Sequence, residues 1–362
     1  DGNVTGVRVK VAPEDPATSA PARNAARQPL NLGLQGGGSH GAFTWGVLDA
    51  LLADGQWDFD GISGTSAGAM NAVAVAHGFA QAAREHRDAQ DAHAAGCAMA
   101  RATLSRFWEG VGTVGTLFAA PLLSSKPLLG MMSQWLSPYQ TNPLDFNPLR
   151  RLLEREVDFE LLRATRSAQV PKVFVCATNV RTGRGEIFHG KRLSADAVMA
   201  SACLPLLFQA VQIEGEYYWD GGFSGNPALH PLVYQTECCD TLLVQINPME
   251  HPELPDTVPE IVERMNDITF NASLLAELRS IEFVRRLLAE GRLDARRYKD
   301  MRMHHIDGGA LLHAFGPTSK SRADLGLVRK LFTLGREAGQ DWLAAHRADV
   351  GQRASMRITE NI

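Results

Sequence analysis

The fold is decided by residues 30–76, LNLGLQGGGSHGAFTWGVLDALLADGQWDFDGISGTSAGAMNAVAVA. Leu30, Leu32 and Leu34 alternate into a glycine-rich turn, Gly36-Gly37-Gly38-Ser39-His40-Gly41. A helical pattern follows, with Phe43, Val47, Leu48, Leu51 and Leu52 at helical spacing. Phe59 to Ser63 then run into Gly64-Thr65-Ser66-Ala67-Gly68, and a second apolar helix begins. The second turn is a G-x-S-x-G, a pattern that places a serine hydroxyl on a sharp turn between a strand and a helix. Gly64 and Gly68 tolerate the backbone angles such a turn demands. The first turn offers unsatisfied backbone N–H groups at a helix N-terminus, a place for negative charge. One turn thus presents a nucleophile, and the other a means of holding the oxyanion its attack creates.

Read alone, Gly36-x-Gly38-x-x-Gly41 also fits a dinucleotide fingerprint, with Asp58 or Asp60 as the acid about 20 residues on. A nucleotide site has no use for a serine elbow at the end of the next strand, so the company of the two turns favours the oxyanion reading.

Outward from this stretch the chain is an ordinary globule of 362 residues, 45% apolar and 21% charged. A net charge of -4 gives no basis for nucleic-acid binding. Cys97, Cys176, Cys203, Cys238 and Cys239 are scattered and lack metal-ligand spacing, which points to a reducing compartment without disulfides or structural zinc. No secretory leader is visible, and a first residue other than Met leaves room for an upstream segment. The expected location is cytoplasmic, with peripheral contact to a membrane or lipid surface. Residues 1–29 read as an arm or tail. Residues 81–108 read as one helix carrying His86 and His93 on a solvated face rather than as metal ligands. Residues 111–144 are apolar with a single charge, Lys126, and are broken by Gly112, Gly115, Pro121, Pro127, Gly130 and Pro138. Those breaks exclude a spanning helix. The segment reads either as a buried cover or as a lid that meets lipid.

Further strands are expected at 172–177, 185–189, 211–219 and 241–246, and a long amphipathic helix at 258–288, interrupted near Asn271. Alternating strands and helices to about Pro248 predict a three-layer α/β/α fold with a mostly parallel central sheet. Residues 30–250 form its catalytic domain, and 251–362 a helical C-terminal extension.

A serine hydroxyl needs a base. In the usual α/β-hydrolase order a histidine follows the serine, and His230, His251, His304, His305, His313 and His346 are available. The alternative is a carboxylate acting directly. Asp220 follows a strand and precedes Gly221 and Gly222, which permit close approach to a neighbouring loop. Asp307 also precedes two glycines after a strand-like run, and composition alone does not separate the two.

Four blocks occur in one order: the GGGSHG turn, the GTSAG elbow, Ala200-Ser201-x-x-x-Pro205, and Asp220-Gly221-Gly222 with Asn226-Pro227 behind it. Together they resemble the patatin-like phospholipase family, over roughly Leu30 to Pro248. The resemblance implies a Ser66–Asp220 dyad without histidine and an oxyanion hole from Gly36, Gly37, Gly38 and Ser39. Gly64, Gly68, Gly221, Gly222 and His40 would support the site. It implies an acyl-ester lipid such as a phospholipid as substrate and no metal or organic cofactor, and leaves the oligomeric state open. The family often carries Arg or Lys where this chain has His40. That histidine would titrate near neutrality and make activity fall as pH rises, or would hydrogen-bond to the loop. A competing reading is a lipid-surface or granule-binding protein with a disused site. The apolar segment 111–144 motivates it, as does the basic run Arg279, Arg285, Arg286, Arg292, Arg296, Arg297, Lys299 and Arg302, but the run is interleaved with Glu282, Glu290, Asp294 and Asp300.

Overall fold

The computed structural model describes residues 26–122, 137–141, 143–145 and 147–358. Most of the expected N-terminal arm and the middle of the apolar excursion lie outside the described residues.

Both strand–turn–helix units form: β1 (Gln28–Leu34) leads into α1 (Gly41–Asp54), and β2 (Trp57–Gly64) into α2 (Ala67–Glu85). β3 (Lys172–Asn179), β4 (Gly185–Phe188), β5 (Val211–Ile213), β6 (Glu216–Asp220), β7 (Asp240–Gln245) and β8 (Arg302–Asp307) complete an eight-stranded sheet. Its order is β5-β6-β3-β2-β1-β7-β8, with β4 paired to β3. The run β3-β2-β1-β7-β8 is parallel, and β4, β5 and β6 are antiparallel additions. The expected strand at 211–219 is a hairpin of two, turned at Glu214-Gly215.

Helices cover both faces. The remaining ones are α3 (Ala89–Leu122), α4 (Pro138–Thr141), α5 (Pro148–Glu156), α6 (Phe159–Ala164), α7 (Ala195–Ser201), α8 (His230–Tyr234), α9 (Val258–Ala289), α10 (Gly309–His313) and α11 (Leu325–His346). Leu30, Leu32, Leu34, Phe43, Leu48, Val73, Phe107 and Leu331 join one core, which takes in α1, α2, α3 and α11. Phe174, Leu229, Leu232, Leu243, Leu274 and Leu278 form a second beneath α8 and α9. Leu242 belongs to the first core and Leu243 to the second, as the pleat requires. Burial on both faces explains the consecutive apolar Leu242, Leu243 and Val244 of β7.

Five expectations are corrected. The helix expected over 81–108 is two, divided at residues 86–88, where the Asp88 carboxylate accepts the N–H groups of Gln90 and Asp91. His93 is not on a solvated face; it is buried against Phe79, with Nε2 3.1 Å from the Gly55 carbonyl. α3 continues through Gly112 and Gly115 to Leu122 instead of breaking, because those glycines admit a neighbouring chain: a Cβ on Gly115 would lie 2.2 Å from the Ala323 carbonyl oxygen. α9 runs unbroken past Asn271, opened by a Thr257–Glu260 capping box. Finally, β8 lies beyond residue 250, so the sheet draws a strand from the segment read as helical extension. No helix among the described residues is long and apolar enough to cross a membrane.

Candidate active site

Strand register brings the predicted residues to one rim. Leu34 lies opposite Gly64 across β1 and β2, and Gly64 opposite Val175 across β2 and β3. Two residues further along each strand come Gly36, Ser66 and Ala177, and Ala177 lies opposite Asp220 on β6. Gly36, Ser66 and Asp220 therefore leave the sheet at one height. Ser66 and Asp220 flank the end of β3, with only that strand between β2 and β6.

Close packing shapes the elbow. A Cβ on Gly64 would lie 2.4 Å from the Gly68 oxygen, and one on Gly68 2.2 Å from the Leu34 oxygen, so both positions need glycine. Ser66 itself sits at φ 55, a left-handed backbone that a non-glycine residue holds only under constraint. Its N–H donates to Ser201 Oγ at 2.9 Å, and Ser201 donates in turn to the Cys176 carbonyl at 2.5 Å. Thr65 Oγ1 is tied to the Gly225 carbonyl at 2.6 Å.

The glycine turn lies against this elbow: a Cβ on Gly36 would be 2.7 Å from Ser66 Cβ. The four predicted oxyanion residues separate here. The Gly36 N–H already donates to Asn226 Oδ1 at 2.7 Å, so Gly36 places the turn and donates nothing to a substrate. No acceptor among the described residues takes the N–H of Gly37 or Gly38. Gly38 is exposed at φ +60, with the Lys320 carbonyl packed where a side chain would be. The Ser39 side chain is directed away, donating to the Ser319 carbonyl at 2.6 Å.

His40 does not titrate near neutrality. Burial, with the Lys320 charge nearby, lowers it to about 3, so the ring is neutral through the physiological range. Its Nε2 meets Ser319 Oγ at 2.7 Å rather than any atom of the glycine turn.

Asp220 ends β6 at 2% exposure. Its N–H donates to the Cys203 carbonyl at 2.8 Å, and its carbonyl accepts from Thr178 Oγ1 at 2.8 Å. A Cβ on Gly221 would lie 2.0 Å from the Cys176 oxygen, and one on Gly222 2.9 Å from the Phe270 ring, so the turn is pressed between β3 and α9. Burial raises the Asp220 carboxyl to about 7, against hydrogen bonds from the Gly222 N–H and the Ser66 side chain that pull it down. A carboxyl poised there serves as base or acid near neutral pH.

The competing candidates are elsewhere. His251 pairs with Asp267 at 2.9 Å and packs tilted against His313, ring centroids 4.3 Å apart, and His305 meets Gln245 at 2.8 Å. His346 pairs with Asp349 at 2.9 Å, and exposed His230 lies 3.9 Å from Glu277. His304 bridges Ser355 and Asp240, with Nδ1 toward the serine and Nε2 toward the carboxylate, the reverse of a working triad. That chain clips the C-terminal strap to β8. Asp58 and Asp60 lie in the early half of β2, away from the glycine turn; Asp58 pairs with Arg27, and Asp60 accepts the N–H groups of Glu237 and Cys238. Neither can serve a nucleotide at Gly36–Gly41. In the basic run, Arg285, Arg292 and Arg296 are paired with exposed acids, as a solvated face would be, and Arg302 is paired with the buried Asp240. Among the described residues no group of His, Cys, Asp and Glu is arranged to hold a metal ion.

Ser201 and Asn226 were quoted in the sequence blocks without a role, and the structure gives them one. The sequence marks Asn271 only as a break in a helix and gives Gln35, Asn247, Ser319 and Lys320 no role. Only the position of Gln35 beside the glycines offered a signal.

A mostly parallel sheet with a glycine turn at one strand end and a G-x-S-x-G turn at the next defines an α/β acyl-hydrolase type of architecture. The chain belongs to the patatin-like phospholipase family, whose pattern matches residues 32–233. Membership supports lipid acyl hydrolase activity in general. Among solved structures the chain is similar to VipD from Legionella pneumophila, at 16% identity over 89% of this chain and 67% of that one. The TM-score is 0.36, too low to carry weight. No curated protein matches the chain.

Proposed function

We propose that this chain is a serine acyl-ester hydrolase acting on lipids through a Ser66–Asp220 dyad. Asp220 takes the hydroxyl proton as Ser66 Oγ attacks the ester carbonyl carbon. The N–H groups of Gly37 and Gly38 receive the oxyanion. The tetrahedral intermediate collapses, and protonated Asp220 returns its proton to the departing alcohol or lysolipid. Water then attacks the acyl-enzyme, giving its proton to Asp220, and the fatty acid leaves as Ser66 is reprotonated. These steps call for no metal or organic cofactor.

The observation that carries this reading is a buried carboxyl near pH 7 within hydrogen-bonding reach of a serine held at positive φ. The surroundings support an apolar substrate. Leu204, Leu206 and Leu207 are exposed on the turn that holds the Asp220 N–H, and Phe223, exposed beside Gly222, stacks edge-on with Phe270. Along α9 from Phe270, Ile268, Met265, Ile261 and Val258 also face solvent. Five free cysteines suit a reducing compartment, and we place the protein in the cytoplasm at the periphery of a lipid surface.

A binding-only reading gains from the exposed stripe but leaves the strained serine and the raised carboxyl without a purpose. Hydrolysis of a panel of phospholipids and glycerides, with Ser66→Ala as control, tests the proposal. Fatty acid release by the parent, abolished in the variant, is expected. Equal release by both would refute it.

A further inference from the structure

The family match ends at residue 233, yet the glycine turn is held from behind by residues far beyond it. Asn247, wholly buried just past β7, is the junction. Its Nδ2 donates to the Gly36 carbonyl at 2.7 Å and to Gln35 Oε1 at 3.0 Å. Its Oδ1 accepts from Lys320 Nζ at 2.9 Å. Asn271, reaching in from α9, donates to the Asn247 and Pro248 carbonyls at 3.2 Å and accepts from Gln35 Nε2 at 2.8 Å.

An ammonium only donates, so Lys320 dictates which end of the Asn247 amide faces it. The Nδ2 end is thereby turned to the glycine turn. In a planar trans peptide, the carbonyl of Gly36 and the N–H of Gly37 point in opposite directions. Holding the carbonyl from behind aims the N–H forward. On its other side Gly36 is pinned by Asn226 Oδ1, so the turn is clamped at both of its polar groups.

We propose that Lys320 is a positioning residue for the oxyanion site: acting through Asn247, it locks the Gly36–Gly37 peptide so that the Gly37 N–H stays aimed at the substrate oxygen. This rests on reading the glycine turn as the oxyanion site. Lys320 works by orientation rather than by its charge, because its ammonium is paired at 2.6 Å with the wholly buried Asp267, which His251 also holds. The backbone around it adds to the clamp: the Lys320 carbonyl packs on Gly38, and the Ser319 carbonyl accepts from Ser39. A segment outside the family core thus completes the catalytic loop.

The test uses the full chain as parent, Lys320→Met, Lys320→Arg and the double variant Lys320→Met/Asp267→Asn, which removes the buried pair together. Two readouts are taken: kcat and KM on a soluble p-nitrophenyl ester, and amide hydrogen exchange of residues 35–41. Lys320→Met and the double variant are expected to lose ~10- to 100-fold in kcat with KM within ~2-fold of the parent. Lys320→Arg, which still donates, restores most of that rate. Exchange accelerates in residues 35–41 while the sheet keeps its protection. Parental kcat in both Met variants overturns the proposal. So does a loss that Arg fails to restore and that comes with faster exchange across the sheet, because that marks a fold defect. A parent silent on all esters would refute the proposed function alone. The exchange readout then still decides: acceleration confined to residues 35–41 sustains the positioning, and unchanged exchange there overturns it.

Discussion

Two turns in this chain share the sequence Asp-Gly-Gly and the same local geometry. Each aspartate ends a strand, and each accepts the N–H of the second glycine: Gly222 to Asp220 at 2.7 Å, Gly309 to Asp307 at 2.8 Å. They lie at the same end of one sheet, on opposite sides of Ser66. Asp220, on β6, is two strand spacings from β2, with only β3 between. Asp307, on β8, is three spacings away, or about 14 Å, behind the glycine turn and the Asn247 network. Asp220 is buried and shifted toward neutrality, whereas Asp307 is exposed. A motif supplies the shape of a turn; strand order and burial decide whether its carboxylate becomes a base.

The largest expected effect of breaking this contrast is on turnover. Asp220→Asn should lower kcat/KM by ~1000-fold or more, while Asp307→Asn stays within ~2-fold. Comparable losses in the two variants, measured on one soluble ester, would erase the distinction.

A smaller effect is in pH dependence. Asp220 accepts a proton only when ionised, and its carboxyl stands at about 7. Activity should therefore rise with pH through about 7 and fall ~10-fold per unit below it. His40, held near 3, contributes nothing to that limb. A kcat/KM profile flat over about pH 5 to 8 would show that some other group is the base.

A further effect is on stability. A raised carboxyl favours the fold in its protonated form. That contribution is complete below the unfolded value of ~4 and is lost as pH rises toward 7. Asp220→Asn should thus be more stable than the parent above pH ~7, by up to about 4 kcal/mol, with the difference shrinking toward pH ~4. Asp307→Asn should stay within about 0.5 kcal/mol at both. Urea unfolding at the two pH values checks this, and an Asp220→Asn variant less stable at neutral pH would contradict the burial account.

What the sequence made legible was local or strictly ordered. The alternation of Leu30, Leu32 and Leu34, the two glycine-flanked turns and the Asp220 block each sit within a few residues. Their succession predicted a mostly parallel sheet with helices on both faces. What it hid depends on distant partners. Asn271 reads as a helix interruption until its side chain is seen bonding Gln35, Asn247 and Pro248 across the layer. Gly112 and Gly115 read as breaks until Ala323 and Leu325 fill the space they leave. A strand-like run precedes Asp307, but nothing local shows that it pairs with β7 as β8, where His304 and His305 are held by Ser355, Asp240 and Gln245. Gly36 looked like an oxyanion donor because nothing local shows Asn226, far along the chain, taking its N–H. Lys320 carried no signal, since the group it steers is reached only through Asn247.

The most direct measurement is fluorophosphonate labelling followed by mass mapping of the modified peptide in the parent, Asp220→Asn and Asp307→Asn. The account predicts an adduct on Ser66 in the parent and in Asp307→Asn, and little or none in Asp220→Asn. Rapid labelling of Ser66 in Asp220→Asn, or an adduct on another serine in the parent, would contradict it.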